Sequence, residues 1–340
     1  MTEALTRESQ RTALQRLFQH GGDIKSATQL FPEAPQPWID LSTGINPVAY
    51  PLPEMSEEIW ARLPDAAALD ALQAAAGIAY GAEPKSIAAA AGTQAILQTL
   101  PRLFPVGRIS ILGPTYGEHE RVWKASGAEM ETVGDLDTAT APLVVVVNPN
   151  NPDGRMLSRE RIGDCARRLA REGRRLIIDE AFMDFEAESV AGEQLPATIV
   201  LRSFGKAYGL AGLRLAFAVA APEIAADIRA ALGPWPVSGP AIMIGKQALQ
   251  DRCWLGVARR RLEDEGNWLD AALTNAGFLV AGRAPLFRLA RRPDAGKAFE
   301  RLCAQGVLTR PFAWSGDLLR FGIPTVDQRP RLREALTATR

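Results

Sequence analysis

Cysteine is scarce in this chain. The three present, Cys165, Cys253 and Cys303, are odd in number and far apart. No Cys-x-x-Cys spacing occurs, which argues against a zinc site and against a disulfide framework. Buried free thiols are the reading left, and no metal is expected. Net charge is lacking too: Lys+Arg and Asp+Glu are both 39. A neutral balance gives no electrostatic case for nucleic acid or an anionic membrane surface. Local basic runs such as Arg259-Arg260-Arg261 read as solvated helix faces. No apolar run approaches the roughly 20 residues that span a bilayer. The N-terminal stretch MTEALTRESQRTALQRLFQH is polar and acid-bearing, without the apolar core of a secretion signal. A reducing cytoplasm is the expected compartment. There is no internal repeat and no low-complexity tract.

What is present is core. The chain has 340 residues, 47% of them hydrophobic. That suffices for one large domain and a smaller one. Short apolar runs at 109–112, 143–147, 176–178, 198–201 and 215–219 alternate with helical patterns such as 158–172. Each run is continuous rather than alternating, as expected of strands covered on both faces. That order predicts an α/β domain with a mostly parallel sheet. The Gly- and Pro-dense segment 232–240 breaks the pattern and reads as a hinge. A long helix is expected over 241–275, then strands near 278–280, 287–289 and 319–323 in a smaller α+β domain.

Five local signals fall at the predicted strand ends, the edge where open α/β sheets bind ligands. Ser203-Phe-Gly-Lys206 follows a strand, with Arg214 eight residues beyond the lysine. A lysine at a crowded strand end can lose its proton and attack a carbonyl carbon. Ser203 and Arg214 suit a phosphate. Alone, such a lysine is usually an ordinary surface residue, and Ser-x-x-Lys also occurs in acyl-transferring serine enzymes. Ala91-Gly92-Thr93-Gln94 opens a helical run, either an anion site or a plain capped helix. Asp179 ends RLIID, placed to hold a pyridine nitrogen protonated or to cap a helix. Asn148-Pro-Asn-Asn151-Pro-Asp-Gly154 forces a rigid turn that can aim Asn151 inward. Tyr116 offers an aromatic face to a flat cofactor, or is a core tyrosine. Each signal is weak singly; order and shared placement give them weight.

Together these motifs resemble the fold-type-I pyridoxal-phosphate enzymes of the aminotransferase class I/II superfamily, from about His20 to Arg320. The resemblance implies a large domain with a mostly parallel, seven-stranded-type sheet over 41–235. It implies a smaller α+β domain over 236–340, with segment 1–40 packing on it. By that likeness Lys206 is the Schiff-base lysine and Asp179 pairs with the pyridinium nitrogen. Asn151 would bond the ring oxygen and Tyr116 would stack on the ring. Thr93, Gln94, Ser203 and Arg214 would form the phosphate cup. Arg320 would clamp the substrate α-carboxylate. A homodimer is implied.

Within the superfamily two groups compete, the histidinol-phosphate aminotransferases and the L-threonine-O-3-phosphate decarboxylases of cobalamin biosynthesis. Four features are similar to the decarboxylases: His20-Gly21-Gly-Asp-Ile, Leu41-Ser-Thr-Gly44-Ile-Asn-Pro47, Asp179-Glu-Ala-Phe-Met-Asp-Phe185, and Pro234-Trp-Pro-Val-Ser238. His20, Gly21, Gly44, Asn151, Arg310 and Arg320 would then meet the phosphorylated substrate. His20 also reads as a plain helix C-cap. Gly44, Asp23, Leu63 and Asp153 depart from the usual pattern, and Phe182 stands where aminotransferases usually show tyrosine. The products implied are CO2 and (R)-1-amino-2-propanol O-2-phosphate, with transamination as the alternative. A non-catalytic sensor fused to a DNA-binding module is disfavoured, since only about twenty residues precede His20.

Overall fold

The computed structural model describes residues 7–339; residues 1–6 of the polar N-terminal stretch, and Arg340, lie outside the described residues. The chain divides into two compact units. One takes residues up to Val48 and from Ala258 onward; the other is the continuous segment Ala49–Val257.

Strands are numbered in chain order. The discontinuous unit begins with β1 (Ile39–Asp40). The continuous unit holds β2 (Ile87–Ala90), β3 (Arg108–Leu112), β4 (Glu129–Val133), β5 (Leu143–Val147), β6 (Arg175–Asp179), β7 (Thr198–Ser203) and β8 (Ala216–Ala220). The discontinuous unit resumes with β9 (Leu279–Ala284), β10 (Phe287–Arg291), β11 (Val307–Leu308), β12 (Arg310–Phe312) and β13 (Ser315–Gly322).

Seven strands of the continuous unit form one sheet in the order β2-β8-β7-β6-β5-β3-β4. All neighbours are parallel except β8, which runs antiparallel to both β2 and β7. The expected mostly parallel α/β sheet is therefore present. β5, LVVVV, is buried at every position. Such a strand is stable only with both sheet faces covered. Ile96, Leu100, Ile109, Val145, Ile177 and Leu201 share one core cluster. Two strands of this sheet were not expected from the sequence. β2 reads IAAA, and alanine carries no strand preference. β4 is an edge strand, EMETV, buried only at Val133, so no apolar run marks it.

The helix expected over 241–275 is two helices, Gly239–Gln250 and Arg252–Asn275. Asp251 breaks it: its carboxylate accepts the Trp254 N–H at 2.9 Å, capping the second helix. The expected burial holds for Cys165 and Cys303, but Cys253 is exposed on this helix's first turn. Among the described residues no helix is long and apolar enough to cross a membrane.

The discontinuous unit contains an antiparallel sheet, β12-β13-β10-β9, and a parallel pair, β1-β11. In the first sheet Arg310 lies directly opposite Arg320. Near the N-terminus, helix Arg7–Gln19 is followed by helix Ile24–Leu30. Asp23 caps the second: Oδ1 accepts the Ser26 N–H at 3.0 Å and Oδ2 the Ser26 hydroxyl at 2.6 Å. The Ser26 hydroxyl bond holds the Asp23 carboxyl below its ordinary value. Asp23→Ala is expected to destabilise the fold by about 1 kcal/mol at neutral pH. Because the folded-state pKa is depressed, that contribution is full above the ordinary pKa of 3.8 and fades as pH falls through the lower folded value. Thermal melts of both proteins along a pH series down to strong acid check this; a difference that grows on acidification would refute it.

Candidate active site

In the continuous unit the segments after β2, β3, β5, β6 and β7 gather at one edge of the sheet. Asp179 closes β6 and is 3% exposed. Its Oδ2 lies 2.9 Å from Nε2 of His119, which is fully buried, and its Oδ1 accepts the Ala181 N–H at 3.0 Å. A buried carboxylate is tolerated only among donors. His119 was missed from the sequence, although it stands one helical turn beyond Tyr116, the spacing that puts two residues on one face. The half-buried Tyr116 ring meets His119 edge-on, with centroids 6.1 Å apart. Nδ1 of His119 is buried with no hydrogen-bond partner among the described residues.

The turn after β5 is tied at both ends. The Asn148 side chain exchanges two hydrogen bonds with the Leu157 backbone, at 3.1 and 2.8 Å. Asn150 donates to the Pro114 carbonyl at 3.0 Å and to Asp153 Oδ1 at 2.8 Å, and accepts from the Thr115 hydroxyl at 2.6 Å. Asp153 therefore does local work: it locks the turn that carries Asn151, which is half-buried.

An anion cradle lies after β2. Gly92 has φ +85° and a Cβ there would lie 2.6 Å from Arg214 Nη2, so glycine alone lets the guanidinium approach. Arg214 itself has φ 54°. Helix Thr93–Leu103 starts here, and Thr93 Oγ1 is buried with no hydrogen-bond partner among the described residues. A helix N-terminus, a buried hydroxyl, Arg214 and the half-buried Ser203 fit a phosphate group. Gln94 uses its side chain elsewhere. Its amide nitrogen donates to Glu118 Oε2 at 2.8 Å, and Glu118 is itself gripped by Arg121. What Gln94 brings to the cradle is its backbone at the helix start. Lys206 sits half-buried on the short helix Phe204–Ala207, its Nζ 5.6 Å from the centre of the buried Phe182 ring.

In the discontinuous unit two of the expected substrate residues, Gly21 and Arg320, meet at Ser42. A Cβ on Gly21 would lie 2.4 Å from the Ser42 carbonyl oxygen, and the Gly22 N–H donates to Ser42 Oγ at 2.7 Å. Arg320, 6% exposed, donates from Nη2 to the Ser42 carbonyl at 2.9 Å, its guanidinium 5.0 Å from the Phe287 ring centre. Gly44 is buried nearby in sequence and His20 is exposed. Arg310 Nη1 donates to the Leu17 carbonyl at 2.9 Å, and Nη2 to that of Gln19. It thereby fastens the end of the helix that precedes His20. Leu63, in the other unit, is 67% exposed.

A sheet whose edge carries a lysine, a buried aspartate and an anion cradle defines the class of fold. The chain belongs to the aminotransferase class I and II family, whose model matches residues 38–336. Among its relatives is a threonine-phosphate decarboxylase of Sinorhizobium sp., 44% identical and aligned over 93% of this chain and 97% of the relative. One of the same description from Pseudomonas aeruginosa is 37% identical over 91% of this chain and 93% of its own. In fold the chain is similar to a histidinol-phosphate aminotransferase from Sinorhizobium meliloti solved with pyridoxal-5'-phosphate. That likeness has a TM-score of 0.83 at 20% identity, covering 100% of this chain and 99% of that one.

Proposed function

We propose that this chain is a pyridoxal-phosphate enzyme that decarboxylates L-threonine O-3-phosphate to (R)-1-amino-2-propanol O-2-phosphate and CO2, for cobalamin biosynthesis. The observation that carries the reading is the 44% and 37% identity to two threonine-phosphate decarboxylases, each spanning over nine-tenths of both chains. Phe182, in the DEAFMDF segment after β6, agrees with it. In this reading the enzyme is a cytoplasmic homodimer.

The residues present fit the cofactor. Lys206 would hold its aldehyde carbon, Asp179 its ring nitrogen and Asn151 its ring oxygen, with Tyr116 against the ring. Thr93, Ser203, Arg214 and the Gln94 backbone would hold its phosphate. Once joined to the substrate amine, the group supplies an electron sink for the bond broken at Cα. The chain decides which bond that is. Arg320 takes the substrate carboxylate with its planar fork. Arg310, opposite it across β12 and β13, anchors the helix end before His20 and Gly21, which take the phosphate. Holding carboxylate and phosphate at separate points turns the Cα–carboxylate bond toward the sink. After CO2 departs, Lys206 Nζ returns a proton to Cα.

The test is CO2 release from L-threonine O-3-phosphate by the chain loaded with pyridoxal phosphate. Amino transfer from histidinol phosphate without CO2 would overturn the reading. Arg320→Lys keeps the charge but loses the fork. It is expected to lower kcat/KM by roughly 10- to 150-fold, the worth of a charged hydrogen bond of about 1.5–3 kcal/mol. The loss should fall mainly on KM, with cofactor affinity unchanged, as equilibrium binding of pyridoxal phosphate will report.

A further inference from the structure

The sheet edge of the continuous unit carries a second set of charges. Glu180 follows Asp179, and Arg202 precedes Ser203. Consecutive side chains in extended backbone leave opposite faces. Glu180 and Arg202 therefore lie on the face away from Asp179, and they are 0% and 4% exposed. Arg202 Nη1 donates to Glu180 Oε2 at 2.7 Å and Nη2 to Asp184 Oδ1 at 2.5 Å. The Ser189 hydroxyl donates to Glu180 Oε2 at 2.6 Å, and the Val190 N–H to Oε1 at 2.8 Å. The Tyr80 ring faces the guanidinium, 4.6 Å from its centre.

A buried charge set of this kind is a poor source of stability, since well-packed apolar side chains often do as well or better. What it supplies is geometry. Arginine is a rigid fork, and here its two prongs fix two carboxylates at set angles. Those carboxylates belong to the segment after β6, and the fork belongs to the end of β7. The β6–β7 register ends at Asp179 opposite Leu201, with one more bond from the Glu180 N–H to the Leu201 carbonyl at 2.9 Å. Asp179 stands at that last rung and Lys206 lies beyond it. The fork ties the two strand ends where backbone pairing stops.

We propose that Glu180, Arg202 and Asp184 form a positioning triad that sets Lys206 relative to Asp179, so that amine and carboxylate meet opposite ends of one cofactor ring. The proposal rests on the cofactor reading above but not on the choice of substrate. Its test uses the full chain loaded with pyridoxal phosphate, as wild type, Glu180→Gln and Arg202→Lys. Without substrate, the pH midpoint of the cofactor's visible absorbance is expected to move by about one unit in both variants. With substrate, kcat should fall about 10²-fold, the scale of an ångström-size misplacement, while KM changes little. If either variant does not fold, Asp184→Asn, which leaves the Glu180 arm in place, carries the same comparison. Variants that melt earlier yet keep the wild-type absorbance midpoint and wild-type kcat per bound cofactor would overturn the proposal and leave the triad a purely structural clamp. The midpoint is read without substrate, so a wild-type chain that transaminates instead of releasing CO2 leaves this test intact.

Discussion

Lys206→Ala is expected to release no measurable CO2 from L-threonine O-3-phosphate, a loss of at least about 10⁴-fold. In the proposed reading covalent catalysis makes that loss steep, because one amine both holds the cofactor and returns the proton. The substitution should leave the fold intact. Lys206 is half-buried on a helix of four residues, so its removal opens little core. The variant is expected to melt within a few degrees of wild type and still to bind pyridoxal phosphate through the cradle formed by Gly92, Thr93 and Arg214. Reduction of the loaded wild type with borohydride should leave the cofactor's mass on the peptide carrying Lys206. A variant that decarboxylates within tenfold of the wild-type rate would refute the assignment, as would a reduced adduct on any other lysine.

Asp179→Asn is the second large effect. The amide is nearly the same shape and can still accept the Ala181 N–H, so the local turn should survive. What disappears is a buried negative charge, 3% exposed and bonded to His119. In the proposed reading its partner is the protonated ring nitrogen, and losing one member of a desolvated charge pair costs about 2–5 kcal/mol. At about 1.36 kcal/mol per decade, that is roughly 30- to 5,000-fold in kcat. The amide cannot stabilise a protonated ring nitrogen as a carboxylate can, so the loss should lie in kcat and not in substrate KM. Steady-state kinetics decide it: kcat within threefold of wild type would mean that Asp179 only shapes the turn.

Much of this site was readable from residues alone, for a physical reason. A strand buried on both faces must be continuously apolar, so LVVVV and RLIID announce themselves, and the chemistry sits just past their ends. Partners brought together by folding left no such trace. His119 reaches Asp179 across 60 positions, and Arg202 meets Glu180 across 22. Nothing local marks either as special. Gln94 showed the converse: its place at the cradle was legible, but the use of its amide depended on Glu118, which only the fold brings near. Asp153, noted in the sequence only as a departure from the usual pattern, has a local partner that the fold supplies, since its carboxylate accepts from Asn150.

The discontinuous unit has a consequence for how the protein is made. β1 pairs with β11, so Ile39 waits for Val307. Chains leave the ribosome N-terminus first, and domains generally fold as units as they emerge. Segment Ala49–Val257 is therefore finished, and free to fold with its lysine and anion cradle in place, while the early residues up to Val48 are still unmatched. Arg310 and Arg320 are synthesised after that segment. In the proposed reading, the order of manufacture puts the residues that would hold the cofactor ahead of those that would take the substrate carboxylate.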